Sequence, residues 1–388
     1  MVEPFDRTQS VVLVCEVNLG WGHFTRMLIL ASAMSRRFRV VLVVIATDSL
    51  QIETPAGVEL HVLQRPAPPT PSRLQPLGSK MLGIVAEARP VAVMIEYFPF
   101  GRHASVPFLL PFLKGLRSVC GENVKILSSV RDIQDRKLEA LQAESVVWLA
   151  NQYFDGILIH SDPRVTRLED TFPAASGIRI PVYYTNYISR HQRNSNAPGE
   201  RPKTILVSVG GGRGGEAVLR CAVAAAKAGL LRGYRLRILG GRFLLEHDWK
   251  ELVAGCSAAG DVVELLRWVP DLFNELRYAG VSVSRCGYNT AQDVLASGIP
   301  ALVIPIATPH QDEQMQRARM LSRAGAVRML IEEQMTTESL AAEILRTFDF
   351  RPEPLGVQLD GAERTCDIVG DLSAGRSLSV AAAAVQFP

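Results

Sequence analysis

The chain has 388 residues, of which 47% are hydrophobic and 21% are charged, with 42 basic and 39 acidic side chains. This composition excludes a disordered chain, and a net charge of +3 with interspersed signs argues against a dedicated nucleic-acid binder. The length exceeds what one ordinary core accommodates, so we expect two domains.

The sequence contains no apolar run of the roughly 18 to 20 residues that a membrane-spanning helix needs. The N-terminal residues MVEPFDRTQS contain two acids and no long apolar core, unlike a secretory signal. The six cysteines are scattered without a CxxC pair, which favours reduced thiols. These features predict a cytoplasmic protein, with peripheral contact at the inner face of the membrane as an open alternative.

Short β-branched runs alternate with longer amphipathic segments in the first half of the chain. Their apolar residues are continuous, as expected when helices cover both faces of a parallel sheet. A proline-rich segment, residues 65–76, is either a stiff surface connection or part of an acceptor site. The predicted strands are VVLVCEV (11–17), VVLVVIA (40–46), VELHVL (58–63), VAVMIEY (91–97), VKILSSV (124–130) and GILIHS (156–161).

Residues 187–202, YISRHQRNSNAPGERP, are polar and have neither a helical nor a strand period, so we predict a linker. The strand–helix pattern then resumes. It predicts two doubly wound α/β domains, residues 1–186 and 203–365, with a tail at 366–388 that could pack back on the first domain. Ligands are expected at the carboxyl ends of the strands. The strands predicted in the second half are TILVSV (204–209), RLRILG (235–240), DVVELL (261–266), VSVS (281–284), ALVIPI (301–306) and VRMLI (327–331).

The stretch SRCGYNTAQD, residues 284–293, follows a predicted strand and enters a helix near Asn289 or Thr290. The N–H groups and the positive dipole end at a helix start form an anion site. Gly287 would let a phosphate group approach the backbone closely. The stretch therefore predicts a phosphate-binding turn.

Side chains of the same stretch extend this prediction. Ser284 and Arg285 could donate hydrogen bonds to phosphate oxygens, and Asp293 could accept bonds from a ribose diol. However, Thr290 and Asp293 also have the spacing of a capping box, so a well-capped turn without a ligand remains the alternative.

Two more strand-end loops are expected at the same edge of the sheet. The loop after ALVIPI places His310, Asp312 and Gln314 around a helix start predicted near Pro309. Amide and carboxylate side chains there suit sugar hydroxyls. The loop SVGGGRGGE (208–216) is glycine-rich but matches neither a dinucleotide fingerprint nor a P-loop. Together the three loops indicate a nucleotide-sugar diphosphate.

The segment from Ser284 to Leu321, SRCGYNTAQDVLASGIPALVIPIATPHQDEQMQRARML, resembles the C-terminal donor motif of MurG-type GT-B glycosyltransferases. Similar patches occur in WVPDLFNELRYAGVSVS, VSVGGGRGG and GWGHFTR, so the resemblance covers most of the chain in pieces. It implies an α/β protein of GT-B architecture, with two Rossmann-like domains facing a central cleft. It also implies an inverting transfer of a hexose or N-acetylhexosamine from a UDP-sugar to an acceptor hydroxyl or amine.

The resemblance implies a donor site in the second domain. Backbone around Val269 would hold a uracil ring, and Gly287 would lie beside the diphosphate. Asp293 takes the place of the family's ribose-binding glutamate, and Gln314 would contact the donor sugar. Met315 stands where the family's enzyme that adds N-acetylglucosamine to the lipid-linked peptidoglycan precursor has a second glutamine, so uridine is better indicated than any one hexose. The predicted donor set is Gly211, Gly212, Arg213, Trp268, Val269, Ser284, Arg285, Gly287, Asn289, Thr290, Asp293, His310, Asp312 and Gln314.

The N-terminal segment NLGWGHFTRMLILASAM offers a candidate base. Thr25 stands where a dinucleotide fingerprint needs glycine or alanine, which disfavours NAD. The ordinary pKa of histidine suits a base at neutral pH, and the family has a glycine–histidine turn at the position of His23. A surface histidine is the alternative. Gly22 and Arg26 are predicted on the acceptor side.

Two strand-end carboxylates, Glu96 and Asp132, are rivals for the catalytic role. Either could be the base, could orient His23, or could form a strand-end salt bridge or an acceptor contact. Arg131 is predicted on the acceptor side, with Arg102 as a structural partner for a carboxylate.

The sequence has no DxD pair and no metal-ligand spacing, so we expect a metal-independent reaction with UDP-sugar as co-substrate and no cofactor. Helix N-termini and Arg285 would then meet the charge of the leaving group. Residues 106–119, VPFLLPFLKGLRSV, form either a buried helix or a membrane-facing patch. The acceptor stays open between a lipid-linked molecule, a natural product and a saccharide. An epimerase or hydrolase acting on UDP-sugars, or a non-catalytic sugar-nucleotide-binding subunit, remains the alternative function.

Overall fold

The computed structural model describes residues 9–17, 22–47, 53–134, 140–192, 202–308, 311–376 and 378. The chain divides into two compact units. The first comprises Met1–Arg190 and Asp360–Pro388, and the second comprises His191–Leu359. Each is a parallel sheet with helices on both faces, so the predicted doubly wound α/β class is confirmed.

The described strands of the first unit form one seven-stranded parallel sheet in the order β3-β2-β1-β4-β5-β6-β7. All six predicted strands are confirmed. A further strand, β7, was not predicted because its sequence, VYY, is too short to form a recognisable apolar run. The strands are β1 (Ser10–Val17), β2 (Arg39–Ala46), β3 (Val58–Gln64), β4 (Ala92–Glu96), β5 (Lys125–Arg131), β6 (Gly156–His160) and β7 (Val182–Tyr184).

Helices cover both faces of this sheet. Helix α1 packs on one face, while α2 and α3 pack on the other and against each other. The apolar side chains Phe108, Phe112 and Leu116 of α3 are buried in the second core, which favours the buried-helix reading of residues 106–119. The helices are α1 (Gly22–Met34), α2 (Pro71–Ala88), α3 (Val106–Cys120), α4 (Ala140–Tyr153) and α5 (Leu168–Thr171).

The described strands of the second unit form a six-stranded parallel sheet in the order β10-β9-β8-β11-β12-β13. All six strands predicted here are confirmed. They are β8 (Thr204–Ser208), β9 (Arg235–Leu239), β10 (Val263–Leu266), β11 (Val281–Ser284), β12 (Ala301–Val303) and β13 (Arg328–Met329). The helices are α6 (Glu216–Lys227), α7 (Glu246–Ala259), α8 (Leu272–Leu276), α9 (Tyr288–Ser297), α10 (Glu313–Arg323) and α11 (Thr337–Asp349).

The final helix, α12 (Gly361–Ser373), returns to the first unit. Its apolar side chains Ala362, Cys366 and Val369 join the core beside α1. Because this apolar face must be buried, the helix belongs entirely to the first unit, whereas the boundary predicted at residue 365 would cut through it. Tyr187 is also buried within the first unit, so only the later part of the predicted linker connects the units, and residues 193–201 lie outside the described residues.

In the part of the chain that the structure describes, no helix has both the length and the apolar character needed to cross a bilayer.

Candidate functional site

In the first unit, the carboxyl ends of β1, β4 and β5 are neighbours and bring a charged cluster together. His23 is the second residue of α1, with 21% of its side chain exposed, and Glu96 ends β4 with its side chain fully buried. Nδ1 of His23 contacts Oε1 of Glu96. Arg26 donates to the same oxygen at 2.6 Å, and Arg102 donates to Oε2 at 3.1 Å. The structure thus joins two of the predicted catalytic residues.

The electrostatics of this cluster keep His23 neutral. Burial lowers the pKa of His23 below its usual value; Glu96 opposes the shift, and Arg131 and Arg102 add to it. Burial alone would raise the pKa of Glu96, but His23, Arg26 and Arg102 hold it well below its usual range. Since a carboxylate can only accept, the imidazole proton lies on Nδ1 and Nε2 presents a lone pair. A neutral histidine in this tautomer can take a proton, through Nε2, from the hydroxyl or amine group of a bound substrate.

The contacts of three residues bear on the predictions for the first unit. Arg26 is 1% exposed and pairs with Glu96, which favours a structural role over an acceptor contact. Glu96 is too deeply buried to act as the base, so of its predicted roles orienting His23 is the one its contacts favour. Asp132 is 1% exposed, and its Oδ1 accepts from the backbone N–H of Ile133 at 2.9 Å, as expected for a strand-end structural residue. Gly22 is exposed at the start of α1.

Tyr97, which the sequence did not single out, forms the wall beside His23. Its φ of 61° is left-handed, and its ring centroid lies 5.2 Å from that of His23. Cζ of Arg131 lies 4.8 Å from the centroid of the same ring, so Arg131 is beside the cluster. A Cβ on Gly101 would lie 2.3 Å from Cε1 of Tyr97. The Tyr97 ring thus packs over Gly101, and the glycine four residues after the tyrosine is the sequence feature that could have indicated this arrangement.

In the second unit, two glycine-containing loops pack backbone to backbone at the carboxyl ends of β8 and β9. The amide of Phe243 donates to the carbonyl of Gly211 at 2.7 Å. Gly212 and Gly241 have φ values of +103° and +91°, and a Cβ on Gly241 would lie 2.4 Å from the nitrogen of Gly212. The second glycine pair, Gly240–Gly241, was not predicted as part of a site, although Gly240 ends the predicted strand RLRILG and Gly241 follows it.

Replacing Gly241 with alanine is expected to destabilise the protein by about 1–3 kcal/mol, because the new methyl group meets backbone and the φ is strained. Denaturant unfolding would measure this. Gly210→Ala is the matched control, since Gly210 also has a positive φ of 64° but open space around its Cβ. Equal losses of unfolding free energy in the two variants would contradict the proposed role of the loop contact.

Helix α9 begins at Tyr288, with Gly287 as its N-cap and no side-chain cap. The predicted start near Asn289 or Thr290 and the capping box are therefore wrong, because the extended backbone of Gly287 already ends the turn. Asp293 consequently lies in the second turn of α9, one turn beyond Asn289 and Thr290. The position that a Cβ on Gly287 would take is open, with nothing within 4 Å. This helix start can therefore receive an anionic group.

The structure assigns Arg285 other partners than a phosphate. Its side chain is 6% exposed and donates to both carboxylate oxygens of Glu332, at 2.8 and 2.9 Å. It also donates to the carbonyls of Gly214 and Ile304. Arg285 thus ties the glycine loop of β8 to the end of β12. Ser284 is fully buried as well, so neither side chain is placed as a direct phosphate donor.

Gln314 is the second residue of α10, and its Oε1 accepts from the amide of Cys286 at 3.2 Å. This bond directs the NH₂ group of Gln314 away from the Cys286 backbone. Asp312 is the N-cap residue of α10, and its Oδ1 accepts from Gln316 at 2.7 Å. Met315 is buried, which is consistent with a packing role. The helix begins later than predicted, and Pro309 and His310 lie outside the described residues.

The remaining predicted donor residues lie on the loops after β8 and β10. Trp268 is 48% exposed, and Cζ of Arg242 lies 4.2 Å from its ring centroid. Val269 is half-buried, and Arg213 is exposed in the glycine loop. The described donor candidates therefore gather on loops at the carboxyl edge of one sheet.

Comparison with known proteins gives the second unit a family. Residues 204–358 match the Glycosyltransferase family 28 C-terminal domain. The UDP-N-acetylglucosamine--N-acetylmuramyl-(pentapeptide) pyrophosphoryl-undecaprenol N-acetylglucosamine transferase of Pelobacter propionicus is 31% identical over 274 residues, covering 66% of each protein. The match thus spans slightly less than two thirds of that relative, and about half of another relative with the same name.

Solved structures extend the likeness to nearly the whole chain. MurG from Acinetobacter baumannii has a TM-score of 0.60 at 16% identity, covering 93% of this chain and 99% of MurG. The glycosyltransferase VinC, solved with dTDP, has a TM-score of 0.59 at 13% identity, covering 95% and 100%. At such identities these neighbours establish the GT-B fold. The chain therefore has the GT-B fold, matches the family 28 C-terminal domain over residues 204–358, and is similar in sequence to the Pelobacter transferase.

Proposed function

We propose that the chain is an inverting glycosyltransferase that moves a hexose or N-acetylhexosamine from a UDP-sugar to an acceptor hydroxyl or amine. The observation that carries the proposal is the His23–Glu96 pair, because a neutral imidazole oriented by a buried carboxylate is the arrangement of a general base. The family 28 domain supports the donor class, and the Pelobacter relative, named for UDP-N-acetylglucosamine, supports uridine.

In the proposed reaction, Nε2 of His23 takes the proton of the acceptor nucleophile as that nucleophile bonds to the anomeric carbon. The bond from the anomeric carbon to the phosphate oxygen breaks on the opposite side, and its electron pair leaves with UDP. Glu96 stays ionised and stabilises the imidazolium that forms. General base catalysis of this kind contributes about 100- to 10,000-fold to a rate.

The second unit would hold the donor. The start of α9, open beside Gly287 and lacking a side-chain cap, offers N–H groups and the positive end of a helix dipole to the diphosphate. Asp293, on the next turn, would accept hydrogen bonds from the ribose. Gln314, whose oxygen is already bonded, would donate from its amide nitrogen to a sugar oxygen. These groups supply the leaving-group stabilisation without a metal ion.

The acceptor is proposed to be lipid-linked, because the Pelobacter relative is named for a pyrophosphoryl-undecaprenol substrate. A natural product or a free saccharide is the alternative to be separated by assay. A lipid-linked acceptor would bring the protein to the inner face of the membrane as a peripheral enzyme.

Replacing Asp293 with alanine is expected to weaken UDP binding about 10- to 100-fold, because hydrogen bonds to a charged group contribute about 1.5–3 kcal/mol. Isothermal titration with UDP would measure this. Asp349→Ala is the control, since Asp349 is an exposed carboxylate at the far end of α11. Equal UDP affinity in wild type and Asp293→Ala would remove Asp293 from the donor site.

A turnover assay separates transfer from the other activities of such folds. UDP release from UDP-N-acetylglucosamine and other UDP-hexoses is expected only when an acceptor is present. Donor loss without an acceptor would identify a hydrolase or epimerase, and binding without turnover would identify a non-catalytic subunit.

A further inference from the structure

The connection from β4 to α3 has an unusual backbone and a buried arginine. Two of its non-glycine residues, Tyr97 and Arg102, have left-handed φ values of 61° and 63°. Such conformations cost of order 1–3 kcal/mol each and persist where surrounding contacts hold them. Arg102 leads into a 3-10 turn, His103–Ser105, and its side chain is 12% exposed. The strained turn brings this arginine into the His23 cluster.

Arg102 joins the ends of two neighbouring strands. Its Nη2 donates to the backbone carbonyl of Glu16, at the end of β1, at 2.7 Å, and to Oε2 of Glu96 at 3.1 Å. The carboxylate of Glu16 is already engaged, because it pairs with Arg65 and accepts from Ser105. Arg102 and Ser105 therefore bind the carbonyl and the carboxylate of Glu16, respectively. These two bonds fix the turn, and with it the position of Arg102, against the end of β1.

The two oxygens of Glu96 have different partners. His23 and Arg26 both bind Oε1, and among the described residues Arg102 is the group that binds Oε2. A carboxylate held at one oxygen can still rotate about its terminal torsion, which is broad for such groups. A partner on the second oxygen fixes the plane. That plane determines how Oε1 meets the Nδ1–H of His23.

Building on the proposed function, we propose that Arg102 is a positioning residue. It fixes the plane of the Glu96 carboxylate and, through it, the ring orientation and the proton position of His23.

Charges around His23 make this role measurable. Arg26 lies on α1 and Glu96 ends β4, while Arg102 lies in the turn and Arg131 ends β5. The ring of Tyr97, the residue after β4, lies beside the imidazole. Cys15 and His160 lie in the same field, and burial, the main cause in each, raises the pKa of Cys15 and lowers that of His160, so both stay neutral. The guanidinium of Arg102 lowers the pKa of His23. Removal of this guanidinium should therefore raise the pKa of His23.

The test is a ¹H–¹⁵N NMR titration of the imidazoles in the full chain, which has seven histidines, with His23 assigned by its loss in His23→Gln. In wild type we expect one tautomer, with the proton on Nδ1. Arg102→Gln should raise the pKa of His23, because a nearby cation is lost, and should produce mixed tautomers. Its kcat should fall about 10-fold, with an unchanged KM for the donor.

Arg102→Lys serves if the glutamine variant does not fold. It keeps the charge but lacks the planar fork of arginine, so the pKa of His23 should stay near the wild-type value while the single tautomer is lost. His103→Asn, an exposed change in the same turn, is the control. A wild-type tautomer and pKa in Arg102→Gln, or a single tautomer in Arg102→Lys, would overturn the inference. Full turnover in a His23 variant would instead overturn the proposed function and leave the NMR result standing.

Discussion

Replacing His23 with alanine is expected to lower kcat about 100- to 10,000-fold while UDP binding stays unchanged, because His23 lies in the first unit and the proposed donor groups lie in the second. The physical reason is the loss of the Nε2 lone pair that Glu96 holds available. Initial rates at saturating donor, together with UDP titration, would measure both quantities. Wild-type kcat in this variant would exclude His23 as the base.

The pH dependence of the rate is a second test of the proposed role of His23. The active form is the neutral imidazole, and burial lowers its pKa. The rate should therefore hold as the pH falls through about 6.5, where an ordinary histidine protonates, and should decline only at lower pH. His61→Ala is the matched control, since His61 pairs with Glu59 on the edge strand β3. Its profile should follow that of wild type.

The fold could be predicted from the sequence because parallel strands buried on both faces appear as continuous apolar runs. Every run that the sequence marked became a strand. One observed strand, β7, was not predicted. It has only three residues and pairs along one edge of β6, so its formation depends on tertiary contacts. The unit to which α12 belongs was equally hidden, because an amphipathic helix does not show which core it will cover.

The sequence marked candidate site residues but not the partners that the structure gives them, and both facts have a common cause. His23 and Glu96 were identified because strand ends and helix starts can be located from sequence patterns. Their pairing, however, joins residues 73 positions apart and could be stated only as an alternative. Arg26 and Arg285 were assigned to ligands because a charged residue beside a predicted site suggests a contact. The structure instead pairs each with a protein carboxylate, a buried one (Glu96) for Arg26 and a partly exposed one (Glu332) for Arg285.

Arg285→Met is expected to have the largest effect on stability. The change leaves Glu332 without its bidentate partner and removes the donor to the carbonyls of Gly214 and Ile304. Breaking a buried pair by removing one partner costs about 3–5 kcal/mol, and because Glu332 is 28% exposed we expect the lower end of that range, about 3 kcal/mol. For a unit of this size that corresponds to a fall of about 10 °C in the unfolding temperature, measurable by calorimetry on the full chain.

The same variant separates a structural arginine from a phosphate-binding one. Because Arg285 ties the glycine loop to the end of β12, UDP affinity should fall together with stability, and Arg285→Lys should be intermediate in both. Arg213→Met is the matched control: this arginine is exposed in the same loop, so its loss should leave the unfolding temperature unchanged. If Arg285→Met kept the wild-type unfolding temperature and lost only UDP affinity, Arg285 would be a direct contact of the diphosphate after all. The four acceptors that now surround its guanidinium make the opposite result the expected one.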